Sequence, residues 1–267
     1  MQPHPPCKTF AGAISKTATG GTIDVLDPGG FGAVTITKPI TLEAIGTVAG
    51  VLVSGTNGIV INSTASATDT IVLRGLAIDG LGTGLAGVKV FAAGKVVIER
   101  CTIQNFTAHG VDFEPSTANA QLVISDSTIN NNVTGGTTSS GVFVQATGAT
   151  ASLTHVRLAQ NNFGLQVRTG TASVQDSTLS GNTVANLKSY GIGTSKVNLN
   201  NTLVSDGAGV GILAQGGTAT VWMSNSTVTG NATGLSTISG VINSYGNNRI
   251  FGNTSFDGTP TNTLSQM

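Results

Sequence analysis

Among the residues that could do chemistry in this 267-residue chain, the first group is Lys89, Asp112, Glu114 and Arg168. Asp112 and Glu114 lie two residues apart, and in an extended strand such residues point to the same side. Two carboxylates so placed are the minimum for an acid–base pair or a calcium site. Lys89 and Arg168 fall at matching places in other repeats, so opposite charges would share one strand face as the catalytic group. His109, Phe143 and Gln166 belong to the same face as binding candidates. Trp222, the only tryptophan, joins them as a possible sugar-stacking ring elsewhere on the chain. A ligand-free alternative is an exposed ion pair between Lys89 and Asp112.

A second column comprises Arg100, Asp126, His155, Asp176, Asn201 and Asn225. An imidazole between two Asp residues could shuttle protons. Asp and Asn at such corners also satisfy backbone groups without any ligand.

A repeat must bring these residues together. Segments such as "LVISDSTINNN" (122–132) and "VWMSNSTVTGN" (221–231) share one register, and their last apolar residues fall at Ile78, Ile103, Ile129, Leu158, Leu179, Leu203 and Val228. Subtracting neighbours gives intervals of 25, 26, 29, 21, 24 and 25 residues. A second marker, Gly followed by an apolar residue, keeps step at 58, 87, 110, 141, 164, 211 and 234. Two markers with one period indicate a solenoid, and alternation of period two inside each unit indicates strands.

The reading is an all-β, right-handed parallel β-helix, with each strand pairing to its copy ~4.8 Å away. Three inward rows follow. One runs Leu73, Ile98, Ile124, Leu153, Val174, Leu199 and Met223; the second is the set of last apolar residues; the third runs Val88, Val111, Val142, Leu165, Leu187, Ile212 and Leu235. Asn132, Asn161, Asn182, Asp206, Asn231 and Asn253 are expected to hold left-handed corners and to bond between coils. Val72, Val97 and Val123 would stack outward as an apolar stripe, a possible seam for self-association. Cys101 reads as a buried thiol, whereas Cys7 could pair outside this chain.

A single domain over 1–267 is expected. Residues 8–44 form an N-terminal cap and first coil, 45–253 the repeated coils and 254–267 a C-terminal tail. In the cap, Phe10, Ala13, Ile14 and Thr17 share a helical face that Gly20 and Gly21 end. The cap sequence "KTFAGAISKTATGGTIDVLDPGGFGAVTITKPITLEA" and the repeats resemble the pectin-lyase-like superfamily and its NosD-like parallel β-helix repeats. That resemblance implies the scaffold, and for lyases of the type a basic residue taking the proton α to a uronate carboxylate, with calcium and Arg or Lys holding the carboxylate. The chain has no dense cluster of acids with a Lys/Arg pair of that kind.

Composition bounds the partners. Charged residues make up 9% of the chain, with twelve acidic and twelve basic, so clustered cations for nucleic acid or anionic membranes are missing. No apolar run approaches the ~20 residues of a membrane span, and the first residues lack the apolar core of a signal peptide. The expected function is a secreted or cell-surface module of bacterial type, polysaccharide-binding or structural and adhesive, with a polysaccharide or cell-surface glycan as partner. The alternative is a polysaccharide lyase or glycoside hydrolase acting through Lys89, Asp112, Glu114 and Arg168. No cofactor or metal is expected, except Ca2+ under the lyase alternative.

Overall fold

The computed structural model describes residues 7–64, 66–133, 138–191 and 193–265. These wind into a right-handed parallel β-helix of about eight coils. The strands of each coil pair in parallel with those of the next. Period-two alternation puts aliphatic residues inside, where each lies over its equivalent in the neighbouring coil. The first inward row steps Leu73, Ile98, Ile124, Leu153, Val174, Leu199, Met223, all buried. The third steps Val88, Val111, Val142, Leu165, Leu187, Ile212, Leu235. Full burial of such side chains stabilises by ~1.5–3 kcal/mol each.

The second row departs from expectation at one place. Leu179 pairs with Val204, which in turn pairs with Val228. Val204 is buried, while Leu203 is 38% exposed beside Thr178 and Thr227. Every other coil places its second-row residue five positions after its first-row residue, as with Ile98 and Ile103. The same step from Leu199 reaches Val204.

The corners are built by two ladders of different kinds. Arg100, Asp126, His155, Asp176, Asn201 and Asn225 all adopt left-handed backbone, with φ between 46° and 53°. The second left-handed set is Asn105, Asn131, Gln160, Gly181, Asp206, Gly230 and Gly252. The expected Asn residues, Asp206 excepted, sit one position later, with side chains turned inward as a buried amide chain. Asn132 Nδ2 donates to Asn161 Oδ1 (2.8 Å), Asn161 Nδ2 to Asn182 Oδ1 (3.1 Å), and Asn231 Nδ2 to Asn253 Oδ1 (2.9 Å). Asp206 is not a member. Its coil offers Gly207 at the ladder position, and the gap is filled by Asn186, which accepts from Asn182 Nδ2 (2.6 Å) and donates to Asn231 Oδ1 (2.7 Å). Asp257 Oδ1 ends the chain by accepting from Asn253 Nδ2 (2.8 Å). A buried amide needs such partners, because an unmade hydrogen bond there costs ~1–3 kcal/mol.

The recurring glycine has a steric cause. At Gly110 a Cβ would lie 2.7 Å from the Gly141 carbonyl oxygen, and at Gly164 it would lie 2.5 Å from that of Asn186. Coils at ~4.8 Å spacing leave no room for a side chain at these glycines; Asn186 is accommodated at the equivalent position because Gly207 vacates the amide ladder there.

Both ends are covered. A helix, Phe10–Ile14, starts at Thr9, whose side chain accepts from the Gly12 N–H, and buries Phe10 against Phe31 at 5.1 Å between ring centroids. The Thr17 N–H and hydroxyl then bond to the Ala13 carbonyl. At the other end, Asn262–Thr263 pairs with Asn243 and Ser244, and the Gly234 N–H donates to the Phe256 carbonyl. Cys101 is buried and its thiol is pushed up to about 11 by burial; Cys7 is half-buried, and both cysteines are free.

Candidate functional site

The face that carries the charged candidates is made by the ends of strands Leu76–Ala92 and Thr102–Phe113, followed by Ser140–Thr154, Phe163–Gln175 and Ala185–Tyr190. Their register aligns one outward column, Lys89, Asp112, Phe143, Gln166 and Lys188, at one residue per coil. The long neighbouring side chains cover one another. Asp112, Phe143 and Gln166 are therefore buried although they point away from the core.

Lys89 sits between the two carboxylates. Its ammonium bonds to Asp112 Oδ2 at 2.6 Å and closely to Glu114 Oε2. This pairing is part-buried, not the exposed pair that sequence suggests. Burial opposes the lysine's charge, yet the bonds to both acids prevail and raise its pKa. Asp112 is pushed up to about 6, chiefly by burial, with Glu114 adding repulsion that offsets part of the help from Lys89. One ammonium shared by two acids leaves a surplus negative charge, which a proton on Asp112 removes.

His109 stacks on Phe143, with ring centroids 4.7 Å apart and planes 11° apart. Burial, reinforced by Lys89, holds its pKa down to about 4, so the ring is neutral near pH 7. His109 Nδ1 and Asp112 Oδ1 are both buried without a hydrogen-bond partner. Native proteins leave few such atoms, and those that remain call for an explanation such as a ligand or a catalytic role. The cluster can thus hold one exchangeable proton on a carboxyl, with a neutral imidazole three residues earlier on the same strand.

Arg168 does not join this group. Its Nη1 donates to Gln145 Oε1 at 2.9 Å, two coils from Glu114. The four charged candidates therefore divide into an acidic end at Lys89, Asp112 and Glu114 and a cationic end at Arg168. Lys188 and Tyr190, missed in the sequence, belong to the cationic end. The Lys188 ammonium stands 4.3 Å from the centroid of the Tyr190 ring and 5.4 Å from that of Phe163. The Tyr190 hydroxyl donates to Gln166 Oε1 at 3.2 Å.

Calcium takes six to eight oxygen ligands. Asp112 and Glu114 do not offer such a set, because Lys89 already occupies the position between them. Among the described residues, no three His, Cys, Asp or Glu side chains group to hold a metal ion.

The other candidates lie elsewhere. Trp222 is on a different face, in the column of Val72, Val97 and Val123, which are half-buried there. His155 is exposed, with Nδ1 3.4 Å from Asp126 Oδ1 and Nε2 4.0 Å from Asp176 Oδ2. Its neighbours are turn residues, and Asn201 Nδ2 continues the column by donating to Asp176 Oδ1 at 2.6 Å.

A sequence model described as right handed beta helix region matches residues 35–176, more than half of the chain. The chain belongs to the right-handed β-helix family. Three solved structures share its winding. Pectate lyase Pel9A superposes with a TM-score of 0.66 at 14% identity, covering 88% of this β-helix and 68% of the lyase. An alginate lyase from Paenibacillus sp. strain FPU-7 gives 0.56 at 15% identity, covering 97% and 98% of the two chains. The enzymatically active domain of bacteriophage CBA120 tailspike protein 2 gives 0.59 at 12%, with this β-helix spanning 39% of that chain. At these identities the likeness is one of fold, which hosts many functions. No curated protein matches this β-helix in sequence.

Proposed function

We propose that this β-helix is a secreted or surface protein that binds a polysaccharide along the face from Lys89 to Tyr190. The observation that carries this reading is the alignment, in consecutive coils, of charges, amides and rings: Lys89, Asp112, Phe143, Gln166, Lys188. A strip that repeats every ~4.8 Å suits an extended polymer, which offers similar groups at regular steps. Aromatic bodies with polar tips and paired amides are the groups that recognise hydroxyl-rich rings. The structural neighbours include a pectate lyase and an alginate lyase, in keeping with a glycan partner. No helix among the described residues is long and apolar enough to cross a membrane.

A glycan array with the purified chain tests the reading. Binding is expected, and Tyr190→Ala, which removes the ring beside Lys188 and the bond to Gln166, should weaken it about tenfold. An intact fold that binds no acidic or neutral polysaccharide would overturn it.

A second reading, turnover of the bound glycan, is favoured by one further observation. Asp112 combines a raised pKa with an unpartnered oxygen, and the neutral His109 on the same strand has a buried Nδ1 without a hydrogen-bond partner. Such carboxyls serve as proton donors or acceptors near neutral pH. Product assays for unsaturated uronates and for new reducing ends check it. Asp112→Asn should lower any turnover by about 100-fold or more while binding persists. Equal activity in Asp126→Asn and Asp112→Asn would sink this assignment.

A further inference from the structure

The cationic end of the face carries an inference that rests on the glycan-binding reading and goes beyond it. Two cations, Lys188 and Arg168, stand there without a carboxylate partner among the described residues, whereas Lys89 at the other end has two. Lys188 is half-buried between the rings of Tyr190 and Phe163, which face it with their π-clouds. Burial lowers its pKa and no carboxylate opposes that shift. A half-buried ammonium without a counter-ion is a standing cost to the fold. Arg168 spends one N–H on Gln145, and its charge acts on the Tyr190 hydroxyl. The remaining guanidinium donors are in the fork geometry that matches an oxyanion.

Position adds the rest. The column steps from Asp112 through Phe143 and Gln166 to Lys188. Three steps at ~4.8 Å separate Asp112 from Lys188 by ~14 Å, while Glu114 stands two steps from Arg168. No single sugar spans that length, so the two ends touch different units of one chain. We propose that Lys188, Arg168 and Tyr190 form a specificity subsite that binds a carboxylate or sulfate on a sugar unit remote from the one lying over Asp112.

The test compares binding of the full chain to charged and discharged forms of the same polymer, by isothermal titration. The probes are polygalacturonate against its fully methyl-esterified form, and a sulfated galactan against its desulfated form; the two pairs separate carboxylate from sulfate as the anion. The charged member of one pair should bind about tenfold tighter, a difference of ~1.4 kcal/mol. Lys188→Met and Arg168→Gln should each bring that ratio close to one, by weakening binding of the charged polymer far more than that of the neutral one. Lys188→Arg should keep the preference, which separates the role of charge from a packing role, and circular dichroism verifies the fold of each variant. Short oligosaccharides that cannot span both ends should lose the preference. If charged and neutral polymers bind equally, or Lys188→Met and Arg168→Gln leave the ratio intact, the subsite falls while the glycan-binding reading stands. If the wild-type chain binds none of the four polymers, both fall.

Discussion

Two histidines in this molecule stand beside aspartates, and their settings differ in nearly every physical respect. His155 lies on an exposed corner between Asp126 and Asp176, with water on all three. His109 lies under Phe143 on a strand, near an aspartate that is itself buried. The residue types are alike, and in the second setting burial moves proton affinities in opposite directions, holding the imidazole at about 4 and raising the carboxyl to about 6. Water screens the corner, while the strand face excludes it. Burial, more than the company of an acid, is what moves the proton affinities of His109 and Asp112.

The contrast can be broken most severely at Lys89. Lys89→Met leaves two part-buried carboxylates facing each other, and unfolding in urea should show a loss of ~3 kcal/mol at neutral pH. The loss should shrink as pH falls below about 6, where Asp112 takes up a proton.

Next in size is a pair of opposed pH effects. Folded His109 resists protonation down to about 4, whereas an unfolded histidine takes a proton near 6.5. Its contribution is therefore complete above ~6.5 and is lost as pH falls toward 4. Folded Asp112 takes its proton at about 6, well before an unfolded aspartate does, so its contribution grows as pH falls across the same window. Together they nearly cancel. Asp112→Asn should unmask the histidine, lowering stability relative to wild type by ~2 kcal/mol between pH 7 and 4. His109→Phe should unmask the aspartate and shift the difference the other way. Urea midpoints across that range read both signs, and parallel curves for the two variants would contradict the environments assigned to them.

The smallest effect sharpens the comparison from the other side. His155→Gln should alter stability by no more than ~0.5 kcal/mol at neutral pH, because its contacts to Asp126 and Asp176 are exposed.

Much of the fold was legible from residue types alone. Aliphatic residues at a period near 25, with a trailing glycine, fixed two of the inward rows completely. The second row slipped by one residue at Leu203 because two apolar residues are adjacent there. The five-residue step from Leu199 singles out Val204. The coil at 185–190 was harder to read. Asn186 stands where the other coils carry glycine, so the marker is missing, and with it went notice of Lys188 and Tyr190. The same substitution explains Gly207, since the amide that Gly207 lacks is supplied by Asn186 from the coil before. Two departures from the repeat compensate each other, and seeing them as a pair would have exposed the cationic end of the face. The burial of Asp112 had no signal of its own. Strict alternation assigns it to solvent, and only the bulk of Phe143, Gln166 and Lys89 in adjoining coils takes it away.

The winding also makes the molecule a ruler with fixed graduations. Spacing between any two surface groups along its axis changes by whole laps, because a partial lap would shift the inward rows out of register and open the chain of amides that ends at Asp257. Gain or loss of one lap between residues 112 and 188 would move the two ends of the face by a single ~4.8 Å graduation while leaving each end intact. For the proposed glycan, pitch would then be selected in discrete notches, each lap added or removed shifting the reach by one graduation.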